Sequence, residues 1–136
     1  MQHALQWGMG DAMADDIQQQ LELFGVSPGS RVGAQVHCVL EQLLQGPVPP
    51  SLSGVYETTA RRFGVRTARV ERNVRKTVIC LWERTDAALL HELMPWHAGE
   101  EPPGSREFLC ALAARLRIAR AERAYHERLL CRKKEE

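Results

Sequence analysis

The first thirty residues contain neither lysine nor arginine. They hold Asp11, Asp15, Asp16 and Glu22 instead, so charge is unevenly placed along the chain. Asp11, Asp15 and Asp16 are explained by capping and solvation at a helix N-terminus and are not read as a phospho-acceptor cluster. No apolar run approaches membrane-spanning length, and no basic stretch precedes a hydrophobic core at the N-terminus; neither a membrane span nor a signal peptide is expected. Cys38, Cys80, Cys110 and Cys131 form no CxxC pair, which argues against a structural zinc site. The first three lie in apolar helical contexts and read as free buried thiols. Period-two clusters of β-branched residues are lacking, and with them the expectation of strands. Repeats and low-complexity tracts are also missing.

Catalytic arrangements are missing too. No Ser/His/Asp order, phosphate-cradling glycine loop or paired carboxylate in an apolar setting is visible. Glu92 beside His91 does not begin an HExxH site, because Pro95 occupies the place of its second histidine. His91 and His97 flank a Pro-Trp loop and read as surface or packing residues. The chain is therefore read as a non-enzyme with no cofactor and no metal.

What is present is helical periodicity. At 136 residues, 44% hydrophobic and 26% charged, the composition is that of one globular domain. Apolar residues recur at spacings of three and four throughout, predicting an all-α fold, a compact bundle of about six helices containing a helix-turn-helix. The reading divides the chain into a flexible N-terminal segment 1–13, loosely ordered over 1–12, a domain 14–125 and a charged tail 126–136. A first helix spans about Ala14 to Phe24, with Ile17, Leu21 and Phe24 on one face, and ends at Gly25. Ser30 caps a second helix carrying Val32, Val36, Val39, Leu40, Leu43 and Leu44. Gly46 stops it, and Pro47, Pro49 and Pro50 form an extended link too short to separate domains. Asp86 caps a short helix with Leu89, Leu90 and Leu93. Ser105 caps a long one with Phe108, Leu109, Leu112, Leu116 and Ala119 on its stripe, and Arg132 to Glu136 read as a frayed end.

The stretch Val55 to Trp82 is the most informative. It reads as a short helix, a glycine turn and a second helix, which together make a helix-turn-helix. Ala60 is small where the helices must pass closely, Phe63 is an apolar anchor, and Gly64 sits where a left-handed residue is needed. Thr67 is expected to cap the second helix, which ends near Arg84 with Leu81 and Trp82 buried. Val70, Val74, Val78 and Leu81 form its inward stripe. Arg69, Arg72, Asn73 and Lys76 occupy the opposite face, flanked by Glu71 and Arg75, which are spaced to pair. From Glu57 to Lys76 there are seven basic and two acidic residues, +5 locally against +1 for the whole chain. Arginine and lysine read guanine, asparagine adenine and glutamate cytosine, while any basic group can grip phosphate. The candidate DNA-binding residues are Arg62, Arg66, Arg69, Glu71, Arg72, Asn73, Arg75 and Lys76. Residues 115–136 add eight basic and four acidic groups.

With these residues in view, the sequence resembles the C-terminal DNA-binding effector domain of the stage zero sporulation protein A family, response regulators of sporulation. The resemblance runs over about residues 20–120. It begins at Leu23-Phe24-Gly25-Val26 and is sharpest from Ala68 to Lys76. It continues through Trp82, Ser105 to Leu109 and Ala114 to Arg117. It implies a bundle of about six helices whose recognition helix enters the major groove, reads a short G·C-containing box and binds tandem sites head to tail. By that resemblance Arg69, Glu71 and Arg72 face bases, Arg75 takes base or phosphate, and Lys76, standing where the family has a histidine, moves to phosphate. The chain departs from the family in its proline link at 47–50 and in the basic segment after Arg120. The roughly 20 residues before the match are too few for a receiver domain, so control by phosphorylation is not expected.

The expected function is a sequence-specific DNA-binding transcription regulator, cytoplasmic and nucleoid-associated. Its expected partners are double-stranded DNA, a second copy on tandem sites, and RNA polymerase or a related regulator, with no membrane. The alternative is a receiver-less protein-interaction module that binds or antagonises a full-length regulator.

Overall fold

The computed structural model describes residues 10–27, 29–97 and 99–135, with side chains for 16–27, 29–97 and 99–133. Among the described residues there are six helices and no strand. They are α1 (Gly10–Leu23), α2 (Arg31–Leu44), α3 (Ser53–Phe63), α4 (Thr67–Arg84), α5 (Ala87–Leu93) and α6 (Ser105–Glu135). The all-α bundle expected from periodicity is what forms. The loose segment expected at 1–12 falls mostly outside the described residues, and α1 starts at Gly10, ahead of the expected Ala14.

α2 is the centre of the bundle because its apolar stripe is the broadest. Val39, Leu40 and Leu43 are completely buried, and α2 packs on α1, α3, α4 and α6. α6 closes the opposite side with Phe108, Leu109, Leu112 and Leu116. Phe24 meets Phe108 edge-on with ring centres 6.0 Å apart. Val70, Val74, Val78 and Leu81 of α4 point into the same core.

Helix ends follow local chemistry. Ser30 Oγ accepts the Gly33 N–H at 2.9 Å, and Asp86 Oδ1 accepts that of Ala88 at 3.2 Å, so both expected caps form. Gly25 has φ +89° and lets the Val26 N–H reach back to the Leu21 carbonyl at 2.9 Å. Thr67 does not cap α4: the N-cap is Arg66, which offers no side-chain bond, and Thr67 is the first helical residue. Ser105 likewise opens α6, and the preceding Gly104 carbonyl takes the Phe108 N–H.

Arginines tie the remaining loops to the bundle. Arg117 donates to the Leu43 and Gly46 carbonyls, and Arg106 to Pro49 at 3.0 Å, so the proline link is fastened to α6. These bonds satisfy carbonyls that a helix end leaves open. Asp16 shows a larger departure from expectation. It is 5% exposed and takes a bidentate pair from Arg120 at 2.7 and 2.9 Å, closing α1 onto α6. Its hydrogen bond raises the Arg120 pKa, the charged form being favoured. Solvation, the sequence explanation for Asp16, does not hold; Asp11 and Asp15 lie outside the described side chains. α6 also runs unbroken to Glu135, so residues 132–135 of the segment expected to fray are helical while Glu136 lies outside the described residues, and Ala119 is exposed instead of joining the stripe. The thiols divide differently too: Cys38 is buried, Cys110 half-buried and Cys80 exposed.

Two outcomes follow. Asp16→Ala removes the bidentate contact between α1 and α6 and lowers unfolding free energy by about 1–2 kcal/mol in urea titration; an unchanged midpoint refutes the role of the pair. Buried Tyr56 has its pKa raised above the usual 10.0, chiefly by burial and then by Glu71 and Cys110, with a Ser105 hydrogen bond opposing. A raised tyrosine pKa stabilises fully below the unfolded value, and that contribution is lost as pH rises through the folded one. Stability should therefore fall above pH 10 less steeply in Tyr56→Phe than in the parent chain, as read from urea midpoints across that range.

Candidate nucleic-acid interface

The interface begins with a turn. Gly64 adopts φ +64°, ψ +36°, and the Val65 N–H bonds back to the Ala60 carbonyl at 3.0 Å. A left-handed residue here turns the chain sharply, and glycine does so without Cβ strain. Ala60 is 3% exposed at the α3–α4 contact, where a small side chain allows close approach. Arg31 donates to the Phe63 carbonyl at 3.4 Å, holding the end of α3 against α2.

Behind the turn, polar groups fasten α3 to α2. Gln42 Nε2 donates to Thr59 Oγ1 at 2.9 Å, and the Thr59 hydroxyl donates to the Val55 carbonyl at 2.9 Å. Thr59 is completely buried. Arg62 joins this cluster at Cys38 Sγ, 3.3 Å away, and stands 3.9 Å from Glu41. Arg62 was expected among the DNA-facing residues, but its guanidinium is engaged with α2. The sequence signal for this cluster was weak: Gln42 and Thr59 are polar residues beside apolar helical positions.

α4 carries the cationic surface. One groove of about 690 Å³ is lined by Gly64, Val65, Arg66, Ala68, Arg69, Arg72, Asn73 and Lys76. Among the described residues no carboxylate lines it. Arg66, Arg69, Arg72 and Lys76 are exposed, and among the described residues none has a carboxylate within 4.0 Å. Four cations on one edge without internal counter-ions leave a positive field directed outward. Their opposite side is the buried Val70, Val74 and Val78 seam, so the helix cannot rotate to hide them.

The other expected site residues lie differently. Asn73 is half-buried and gives its amide N–H to Gln35 Oε1 at 3.0 Å, locking α4 to α2. That amide was expected on the reading face; at least one of its donors is committed inward. Arg75 does not pair with Glu71. Its guanidinium turns to the Pro103 carbonyl at 2.7 Å and secures the loop before α6. A buried carbonyl attracts it more than an exposed neighbouring carboxylate would. Glu71 is exposed on the flank shared with Tyr56, Arg75 and Ser105. It lies about 100° round the helix from Arg72.

The far end of α4 is braced by the loop over 94–104. Leu81 is buried as expected, whereas Trp82 is only partly so; its indole N–H donates to the Glu100 carbonyl at 3.2 Å. His97 stacks edge-on to Trp82 at 4.9 Å and donates through Nε2 to the Glu101 carbonyl at 2.8 Å. It is thus a packing residue, while His91 is exposed. Among the described residues no three His, Cys, Asp or Glu side chains gather as metal ligands would, and no helix is long and apolar enough to cross a membrane.

Comparison with known proteins agrees with this geometry. The family model described as sporulation initiation factor Spo0A, C terminal, matches residues 42–116, from the last turn of α2 to the core of α6. No curated protein matches the chain. The match takes in the turn, the whole of α4 and its cationic edge, and covers more than half of the sequence. The chain therefore belongs to the Spo0A C-terminal family of DNA-binding effector domains involved in sporulation and transcription regulation.

Proposed function

We propose that the chain is a sequence-specific transcription regulator that inserts α4 into the major groove of duplex DNA. The observation that carries this reading is the carboxylate-free groove edged by Arg66, Arg69, Arg72 and Lys76. An α-helix fits the major groove, and a buried opposite face fixes which side chains meet base edges. Arg69 and Arg72 are assigned to guanine, with two parallel hydrogen bonds each. Glu71, on the neighbouring flank, is assigned to a cytosine amino group. Arg66 and Lys76, at the two ends of the groove, are assigned to phosphate. Arg75 and Asn73 brace the helix from its two flanks, and Arg62 supports α3. The reading domain is taken as 14–125, with the tail beyond it continuing α6.

A protein partner is a second reading for one part of the molecule. α6 beyond the bundle exposes Ile118, Tyr125, Leu129 and Leu130, more apolar surface than a solvated helix needs. A second copy on tandem sites, RNA polymerase or a related regulator would meet the protein there. DNA binding places the protein on the nucleoid, and the reading involves no catalysis.

Arg72→Ala should weaken binding to a selected G·C-containing site by about 1–3 kcal/mol while affecting random duplex little. Equal losses on both, measured by fluorescence anisotropy, would make Arg72 a phosphate contact. For the parent chain, log affinity against log salt should fall with a slope of about −2, as the two phosphates assigned to Arg66 and Lys76 require. A flat response rules out the interface.

A further inference from the structure

α4 borders a second depression that shares Lys76 with the reading groove but has apolar walls. It is a trough of about 270 Å³ between the turn after α1, the first turn of α2 and the C-terminal half of α4. Val26, Val32 and Leu81 provide apolar walls, and Cys80 lies beside them. Lys76 and Arg84 line the same trough from α4. Both are exposed, and among the described residues neither has a carboxylate within 4.0 Å. The polar contact of Arg84 is with Cys80 Sγ, at 3.7 Å. The two cations stand about 12 Å apart along the helix axis, and both have long flexible stems, so their heads can lean over the trough toward one anion.

Apolar walls favour a hydrocarbon body, and cations without counter-ions favour an acidic head. We propose that this trough binds a small amphipathic carboxylate, with its aliphatic chain on Val26, Val32 and Leu81 and its carboxylate held by Lys76 and Arg84. Inorganic phosphate satisfies the cations but leaves the walls wet. A neutral alcohol of the same length satisfies the walls but leaves the cations unpaired. Only the amphipathic anion meets both requirements. Lys76 also lines the reading groove, so an occupied trough competes with duplex for that ammonium; this consequence, unlike the site itself, rests on the DNA reading.

The test is titration of the full chain, without DNA, with octanoate, octanol and inorganic phosphate, followed by methyl NMR shifts. Octanoate should bind saturably with Kd about 0.1–1 mM, the range expected of so small a ligand in a shallow site. Shifts should centre on Val26, Val32 and Leu81, with octanol and phosphate at least about tenfold weaker. Lys76→Gln and Arg84→Gln should each weaken octanoate about fivefold and leave octanol unchanged. Val32→Phe should fill the trough and abolish binding at an unaltered urea midpoint; if that variant unfolds, Cys80→Trp gives the same readout from the exposed side. Octanol equal to octanoate, phosphate equal to octanoate, or unsaturable shifts spread over the surface would each overturn the proposal. Competition is read separately with duplex present. Octanoate binding in a chain that ignores DNA would remove the DNA reading and leave this site standing.

Discussion

Everything on the outer surface of α4 depends on what happens to its inner surface. Val70, Val74, Val78 and Leu81 are sealed against the bundle, and a helix with one side sealed cannot roll. The cationic side chains are thereby fixed in azimuth while remaining in water. Asn73 and Arg75 add directional bonds to Gln35 and the Pro103 carbonyl, one on each side of the seam. Apolar burial sets the orientation, and these two bonds limit what freedom remains.

The many arginines of this chain serve two distinct ends. One group answers carbonyls left open by helix ends and loops: Arg31 at Phe63, Arg75 at Pro103, Arg106 at Pro49, and Arg117 at Leu43 and Gly46. A planar fork of donors suits that work, since one guanidinium can satisfy two carbonyls and remain charged. The other group, Arg66, Arg69 and Arg72, meets no carboxylate among the described residues and lines the open groove. Only Arg120 forms a tight buried-side ion pair among the described contacts, with Asp16. The net charge of +1 therefore conceals a separation of roles.

Family membership and geometry reinforce each other without being the same argument. The matched region ends at residue 116, inside the core-forming part of α6. The helix continues to Glu135, bearing Tyr125, Leu129 and Leu130 in the open. The turn and the cationic groove of α4 lie inside the matched region, as does the α4 wall of the apolar trough beside Cys80, whereas α6 beyond residue 116 lies outside it.

Periodicity, the caps at Ser30 and Asp86 and the left-handed glycines were enough to place the helices, the turn at Gly64 and the buried seam of α4, though not the start of α1 or the end of α6. Those features obey short-range rules: 3.6 residues per turn, a hydroxyl or carboxylate before a helix, and a missing Cβ where φ is positive. The face of α4 carrying Arg69, Arg72 and Lys76 followed from the same arithmetic. Partner choice for polar side chains did not, because it is settled by groups distant in the chain. Asp16 and Arg120 are 104 residues apart, Asn73 and Gln35 are 38, and Arg75 and Pro103 are 28. A helical wheel assigns each of these groups a direction but cannot say what waits there. Tertiary packing alone brought a carboxylate to Arg120 and an amide to Asn73, and turned Arg75 from its sequence neighbour Glu71 to a carbonyl.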